Sequence, residues 1–240
     1  MTDRDVLPRL RSQSTSIKDA QYLHYKYLFR DLEDAIRTYA SGRVLDIGCG
    51  NKPYEHSFEG KCPVYLGCDV AQSDGNRADM LCLATAVPIA SATCDTVFTT
   101  QVLEHVADHQ ALLREAFRIL VPGGYLILSA PMAWEHHEEP YDFFRFTRHG
   151  LKHLLEGQGF EVTLIVPNGG KWALVGQMLQ NSIATSLFRP QTWARKAAWF
   201  LFAATRSKVL INVLFGYLDR IDYDPSATLN FVVVARKPPA

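Results

Sequence analysis

Val44–Phe58 reads VLDIGCGNKPYEHSF. A short apolar run breaks into Gly-Cys-Gly and then into Asn-Lys-Pro, the pattern of a strand whose glycines let backbone approach a ligand closely. In an open parallel sheet the ligand sits beyond the carboxyl ends of the strands, and the first strand–helix turn is its usual seat. A dinucleotide site would carry a third glycine where Pro53 stands, and a P-loop would follow Lys52 with Ser or Thr. The turn is therefore built for close approach without either phosphate signature, which argues against NAD and ATP.

Outward from this stretch, strands and helices alternate. Tyr22–Tyr39 carries Tyr25, Leu28, Phe29, Leu32 and Ile36 at helical spacing, with Gly42 as a stop. Strand-like runs follow at Val64–Cys68, Asp95–Thr99, Tyr125–Ser129, Phe160–Val166 and Asn230–Ala235. Helices are expected at Ala107–Leu120, stopped by Pro122-Gly123-Gly124, and at Arg148–Gly157. Alternation of this kind specifies an α/β, doubly wound sheet. The segments divide the chain into a flexible tail at 1–19 and one domain at 20–240, with 171–220 as a helical insert before the last strand.

Bulk composition agrees with one sizeable domain. The chain has 240 residues, 48% of them hydrophobic, enough for a substantial core. Lys+Arg and Asp+Glu each total 25, so no excess of basic charge marks a nucleic-acid binder. The five cysteines are odd in number and form no CxxC, so reduced thiols in a cytoplasmic setting are expected rather than disulfides or a zinc ribbon. Met1–Ser16 lacks an apolar stretch and does not read as a signal peptide.

Asp69 closes the strand-like VYLGCD, twenty-one residues after Gly48. An acidic side chain there can accept both hydroxyls of a ribose. A ribose without phosphates beside a tight glycine turn suggests an adenosine-like ligand, and S-adenosylmethionine is the common one.

Four blocks, VLDIGCG, GCDV, SATCDTVFTTQVLEHV and REAFRILVPGGYLILSAP, occur in order between Val44 and Pro131. Together they resemble class I S-adenosylmethionine-dependent methyltransferases of the methyltransferase-11 type. The resemblance implies a seven-stranded Rossmann-like sheet with its last strand antiparallel, S-adenosyl-L-methionine as cofactor and S-adenosyl-L-homocysteine as product. It implies that Asp46, Gly48, Cys49 and Gly50 surround the methionine part, that Asp69 holds the ribose, that Val70 lies next to the adenine and that Gln101 lies under the methionyl chain. Leu83 stands where the family often places an acidic residue for the adenine amino group, so adenine would be held there by backbone and apolar contact; that role is not carried to Asp79.

HHEEPYDFFRFTRHGLKHLLEGQGFEV, from His136, looks like the segment after the fifth strand in methyltransferases associated with bacterial glycan or secondary-metabolite biosynthesis. It would lie over the acceptor end of the cleft. A hydroxyl acceptor benefits from a base, for which histidine is the commonest choice; His136, His137 and His105 are the candidates. DFFRFT is read as packing that pins the loop, with Arg145 paired to a carboxylate. Glu104, His105 and His109 could ligate a metal if both histidines share one helix face, but Gln101 sits where a further carboxylate would help, and no metal is assigned.

Between Lys171 and Arg220, WALVGQMLQNSIATSLF and AAWFLFAATRSKVLINVLFGYL read as two or three amphipathic helices, too interrupted by polar residues to span a membrane. Their apolar faces suit a lid, a homodimer interface or, through Trp193, Trp199 and neighbouring basic residues, a membrane surface. The resulting expectation is an S-adenosylmethionine-dependent O-methyltransferase acting on a sugar, a glycan or another small polar acceptor. The alternatives are N- or C-methylation of a metabolite, or a non-catalytic cofactor-binding partner subunit. Nucleic acid is disfavoured as a substrate by the neutral charge and by the absence of an Asn/Asp-Pro-Pro-Tyr/Phe block.

Overall fold

The computed structural model describes residues 10–188 and 206–240. Its order is α1 (Tyr22–Tyr39), β1 (Arg43–Ile47), α2 (Glu55–Phe58), β2 (Val64–Asp69), β3 (Met80–Leu81), β4 (Cys94–Thr100), α3 (His109–Ile119), β5 (Leu120–Pro131), α4 (Arg148–Gly157), β6 (Glu161–Pro167), α5 (Lys171–Phe188), α6 (Ser207–Ile221) and β7 (Asn230–Arg236). The seven strands form one sheet in the order β3-β2-β1-β4-β5-β7-β6. β1, β2, β3, β4 and β5 pair in parallel, and β7 inserts antiparallel between β5 and β6. The expected doubly wound sheet with an antiparallel last strand is therefore present.

Side-chain alternation along each strand builds two cores, one per face of the sheet. Phe231, Val233 and Ala235 of β7 join Leu45, Leu126 and Leu128 in a layer closed by Leu112 and Leu113 of α3 and Leu151 and Leu155 of α4. Val232 and Val234 point the other way, joining Val44, Phe98 and Ile127 under Leu28, Leu32 and Ile36 of α1. Phe58 of α2 packs edge-on against Phe98, ring centroids 5.2 Å apart, with both rings buried. Truncating an aromatic ring so placed costs about 3–5 kcal/mol.

Two local expectations need correction. Pro122-Gly123-Gly124 does not form a loop after the helix; α3 runs straight into β5, and the sequence lies inside that strand. A register irregularity against β4, between Cys94 and Thr96, absorbs it. His105 and His109 do not share a helix face either. His105 ends a 3₁₀ turn, Leu103–His105, and α3 begins only at His109 because the Asp108 side chain caps it by accepting from Ala111 N at 2.9 Å.

Within the insert, α5 and α6 pack on each other and α5 packs on α1. Beside the small Ala173 and Gly176, their buried residues are polar: Gln177, Gln180, Asn212 and Asp219. Gln180 Nε2 donates to Asn212 Oδ1 at 2.6 Å, and Asn212 Nδ2 donates to the carbonyls of Ile17 and Asp19. Ile17 and Asp19, in the segment read from the sequence as tail, are thereby hydrogen-bonded to α6. Further along, Gln13 donates to Phe29 O. Trp193, Trp199 and the basic residues Arg189, Arg195 and Lys196 lie outside the described residues. Among the described residues, no helix is long and apolar enough to cross a membrane.

Candidate active site

A cleft of about 1070 Å³ opens at the carboxyl ends of β1, β2 and β4. It is lined by Asp46, Gly48, Cys49, Gly50, Asp69, Val70, Leu83 and Gln101, so the eight residues expected at the cofactor share one wall system. Gly48 is held at φ +78, and a Cβ there would sit 2.3 Å from Val102 Cγ2, which explains glycine at this position. The N–H groups of Gly48 and Cys49 both donate to Cys68 O, at 2.8 and 3.1 Å, fixing the turn to the end of β2.

Asp69 is buried and organises that turn. Its Oδ2 accepts from Gly50 N at 3.0 Å and its Oδ1 from Val70 N at 2.7 Å. Each oxygen keeps a further lone pair, the requirement for a carboxylate that takes two vicinal hydroxyls. Asp46 is also buried, and Tyr65 donates to its Oδ2 at 2.5 Å. Burial pushes the Asp46 carboxyl up to about 7, with the Tyr65 hydrogen bond pulling the other way and the Asp69 charge adding to the rise.

Cys49 is buried, and burial raises its thiol, so it walls the cleft rather than serving as a nucleophile. Gln101, at φ 53, donates through Nε2 to Ser129 Oγ at 3.0 Å. Leu83 and Val70 expose apolar surface to the cleft. Asp79 is engaged elsewhere: it accepts from Lys52 Nζ at 2.5 Å and Gly67 N at 2.7 Å.

At the far end, the structure separates the three candidate histidines. His105 and His137 line the cleft with ring centroids 4.6 Å apart and edge to face. His136 does not line it; its side chain is 84% exposed and lies 3.6 Å from Asp142 Oδ2. Both imidazoles approach Asp142 Oδ2, His137 Nδ1 at 3.4 Å, but only His137 also reaches the cleft wall. Arg145 clamps the segment with a bidentate pair to Asp142, 2.6 and 2.8 Å, and donates to the carbonyls of Trp134, Phe144 and Glu135. That guanidinium holds the Asp142 carboxyl well below the usual carboxylate range. The packing expected of DFFRFT and the carboxylate partner expected for Arg145 are both present.

Other cleft residues were not legible in advance. His24 and Tyr25 of α1 and Trp134 after β5 also line it, and the His24 ring packs at a tilt against Trp134 with centroids 4.4 Å apart. Burial pushes the His24 imidazole down to about 3, so it is neutral. Nothing in the spacing of α1 separates His24 from an ordinary buried helix residue. The aromatic next to the two histidines, in Trp134-Glu135-His136-His137, was the one available signal. Glu104 does not itself line the cleft but lies fully buried beside His105, and burial pushes its carboxyl up to about 8.

The geometry has parallels among known proteins. A family model described as a methyltransferase domain matches residues 22–165. A Mycolicibacterium smegmatis protein named "probable S-adenosylmethionine-dependent methyltransferase" is 28% identical over 178 residues, 68% of this chain and 63% of that protein. A ubiquinone biosynthesis O-methyltransferase of Parvibaculum lavamentivorans is 28% identical over 107 residues, 40% of this chain and 42% of its own. The chain spans less than two thirds of the length of such curated relatives. The crystal structure of the [4+2]-cyclase SpnF superposes with a TM-score of 0.59 at 16% identity, covering 95% of this chain and 86% of that one, and shows a shared fold. With the sheet order, the glycine turn and the matched domain in agreement, the chain belongs to the class I S-adenosylmethionine-dependent methyltransferases.

Proposed function

We propose that the chain transfers a methyl group from S-adenosylmethionine to an oxygen of a small polar acceptor, a sugar or glycan hydroxyl being the favoured class. The observation that carries this reading is the pair of imidazoles that line the cleft together with the glycine turn. His105 Nδ1 contacts Tyr141 O at 2.9 Å and His137 Nδ1 contacts Glu135 O at 3.1 Å. A carbonyl can only accept, so each Nδ1 carries the hydrogen, and in the neutral imidazole each Nε2 keeps a lone pair. A hydroxyl gains from such groups as it becomes a nucleophile, whereas an amine has little need of them. The name of the Parvibaculum relative, an O-methyltransferase, supports an oxygen acceptor.

The cofactor, when bound, supplies a methyl on a sulfonium, which passes in line to the attacking atom. Asp69 is placed to hold the ribose, and the Gly48–Gly50 turn to admit the methionine part. Val70 and Leu83 offer an apolar floor for adenine. Trp134 and Tyr25 narrow the acceptor end, so that positioning supplies much of the rate. The exposed apolar face of α5 and α6 is assigned to protein contact, a second copy of this chain being the occupant, rather than to a membrane surface.

Release of S-adenosylhomocysteine against a panel of nucleotide-sugars, glycans and phenols tests the assignment. Turnover with a hydroxyl acceptor is expected, and His137→Ala should lower kcat by ~10²–10⁴-fold with S-adenosylhomocysteine affinity unchanged. Activity confined to amine acceptors, or full activity in both His105→Ala and His137→Ala, would overturn the oxygen reading.

A further inference from the structure

Glu104 is fully buried, and among the described residues neither of its carboxylate oxygens has a hydrogen-bond partner. A buried carboxyl in that condition either holds a proton or needs a positive charge beside it. Its backbone is fixed: Glu104 O accepts from Phe143 N at 2.9 Å and Phe144 N at 3.3 Å, which ties the 3₁₀ turn to the segment bearing His137. The side chain then meets two imidazoles. His105 Nε2 lies 3.9 Å from Glu104 Oε1, and one ligand-capable atom from each of Glu104, His105 and His137 falls within 4.8 Å of the other two.

Both imidazoles are set as metal ligands usually are, with Nδ1–H donating to a backbone carbonyl and the Nε2 lone pair turned away from it. We propose that Glu104, His105 and His137 hold a divalent transition cation at the acceptor end of the cleft. Two imidazoles and one carboxylate suit zinc, cobalt, manganese or iron(II) better than magnesium or calcium, which prefer all-oxygen shells. Ligand bonds of ~2.0–2.2 Å require the three atoms to draw together by roughly 1 Å, a side-chain adjustment. The cation would supply the charge that the orphaned carboxylate lacks. Gln101 and His109, weighed with these residues from the sequence, stay outside the set: Gln101 is bonded to Ser129, and the His109 ring packs on Phe144 and Phe146.

Three protein ligands leave coordination positions open toward the cleft. The cation's role rests on the reading of this end as the acceptor site. An acceptor hydroxyl at an open position has its acidity raised and loses its proton to solvent near neutral pH. The oxygen lone pair then forms the O–CH₃ bond as the C–S bond breaks, and sulfur keeps the electron pair as neutral S-adenosylhomocysteine. The histidines then hold the cation and need not carry the proton themselves.

Cobalt(II) titration of chelator-stripped full-length protein, followed by visible absorption, tests binding without reference to activity. One equivalent is expected per chain, with a band characteristic of mixed nitrogen and oxygen ligation. Glu104→Gln, His105→Ala and His137→Ala should each weaken it by more than about tenfold. His149 and His153 stand four apart on α4 and are exposed, so they are the natural adventitious site. His153→Ala should leave the band unchanged. No band in folded protein that binds S-adenosylhomocysteine, or a band lost in His153→Ala and kept in Glu104→Gln, would overturn the proposal. The two readings fail separately. Undiminished hydroxyl methylation in excess chelator would remove the cation and keep the methyltransferase, whereas cobalt binding without any S-adenosylhomocysteine binding would do the reverse.

Discussion

At the scale of single residues, two carboxylates on neighbouring strands carry different tasks because their surroundings differ. Asp69 spends one lone pair per oxygen on backbone N–H groups and keeps the rest for a ligand. Asp69→Ala should weaken S-adenosylmethionine binding by about 1.5–3 kcal/mol, the range for hydrogen bonds to a charged group, as read by titration calorimetry. Asp46 is the pH-sensitive one. Its carboxyl rises from 3.8 to about 7 on burial. The folded protein therefore holds a proton that the unfolded chain releases, and the stability of the ligand-free protein should decline as pH rises through that window. A cationic cofactor favours the ionised form, so affinity should increase as pH rises through 7, with proton release on binding. Asp46→Asn should flatten both profiles; a pH-independent affinity in wild type would remove Asp46 from contact with the cofactor's charge. The glycines and Asp69 could be read in sequence because each meets a local backbone or ligand requirement. Glu104 could be named but not weighed, since its lack of partners is a property of the packed structure.

At the scale of elements, the longer strands were legible because each is a largely apolar run bounded by polar or glycine residues, whereas the two-residue β3 was not read. Their ends were less so where a helix meets a strand without a loop, as at Ile119–Leu120. Gly48 is the clearest local constraint. Gly48→Ala must place a non-glycine residue at φ +78 and a methyl 2.3 Å from Val102. Left-handed backbone alone costs about 1–2 kcal/mol, so the melting temperature should fall by at least several degrees, together with cofactor affinity. The amino end of α5 is held differently. Asp219 of α6 accepts from Gly170 N and Ala173 N at 3.1 Å, which satisfies orphan donors at that helix start. Asp219→Ala should cost about 1–3 kcal/mol in chemical denaturation and leave S-adenosylhomocysteine affinity nearly unchanged. An equal loss of cofactor binding would show that the insert shapes the cleft directly.

At the scale of the whole molecule, the insert departs from the ordinary rule for a surface helix. Gln177, Gln180, Asn212 and Asp219 face inward, while Val175, Leu179, Leu210, Val213, Leu214 and Tyr217 are exposed, Leu210 by 68%. From the sequence, the glutamines and asparagines argued only against a membrane span. Their inward direction was hidden because the partners of these amides come largely from residues far away in the chain, as Ile17 and Asp19 do for Asn212. Turning polar groups inward leaves the apolar side of the pair facing outward, and so many large apolar groups on one surface mark a contact site. A second copy of the chain can cover that face with about 800 Å² per partner, the size of a standard interface. Light scattering should then report a dimer, and Leu210→Glu with Leu214→Glu should return a folded monomer, because both side chains are exposed in the single chain. The competing occupant has an opposite signature. A membrane surface would give co-sedimentation with anionic vesicles that weakens as salt rises, through screening of basic residues such as Lys208. No co-sedimentation at any salt is expected, and a monomer that binds vesicles and loses that binding in the double variant would move the face from protein contact to lipid.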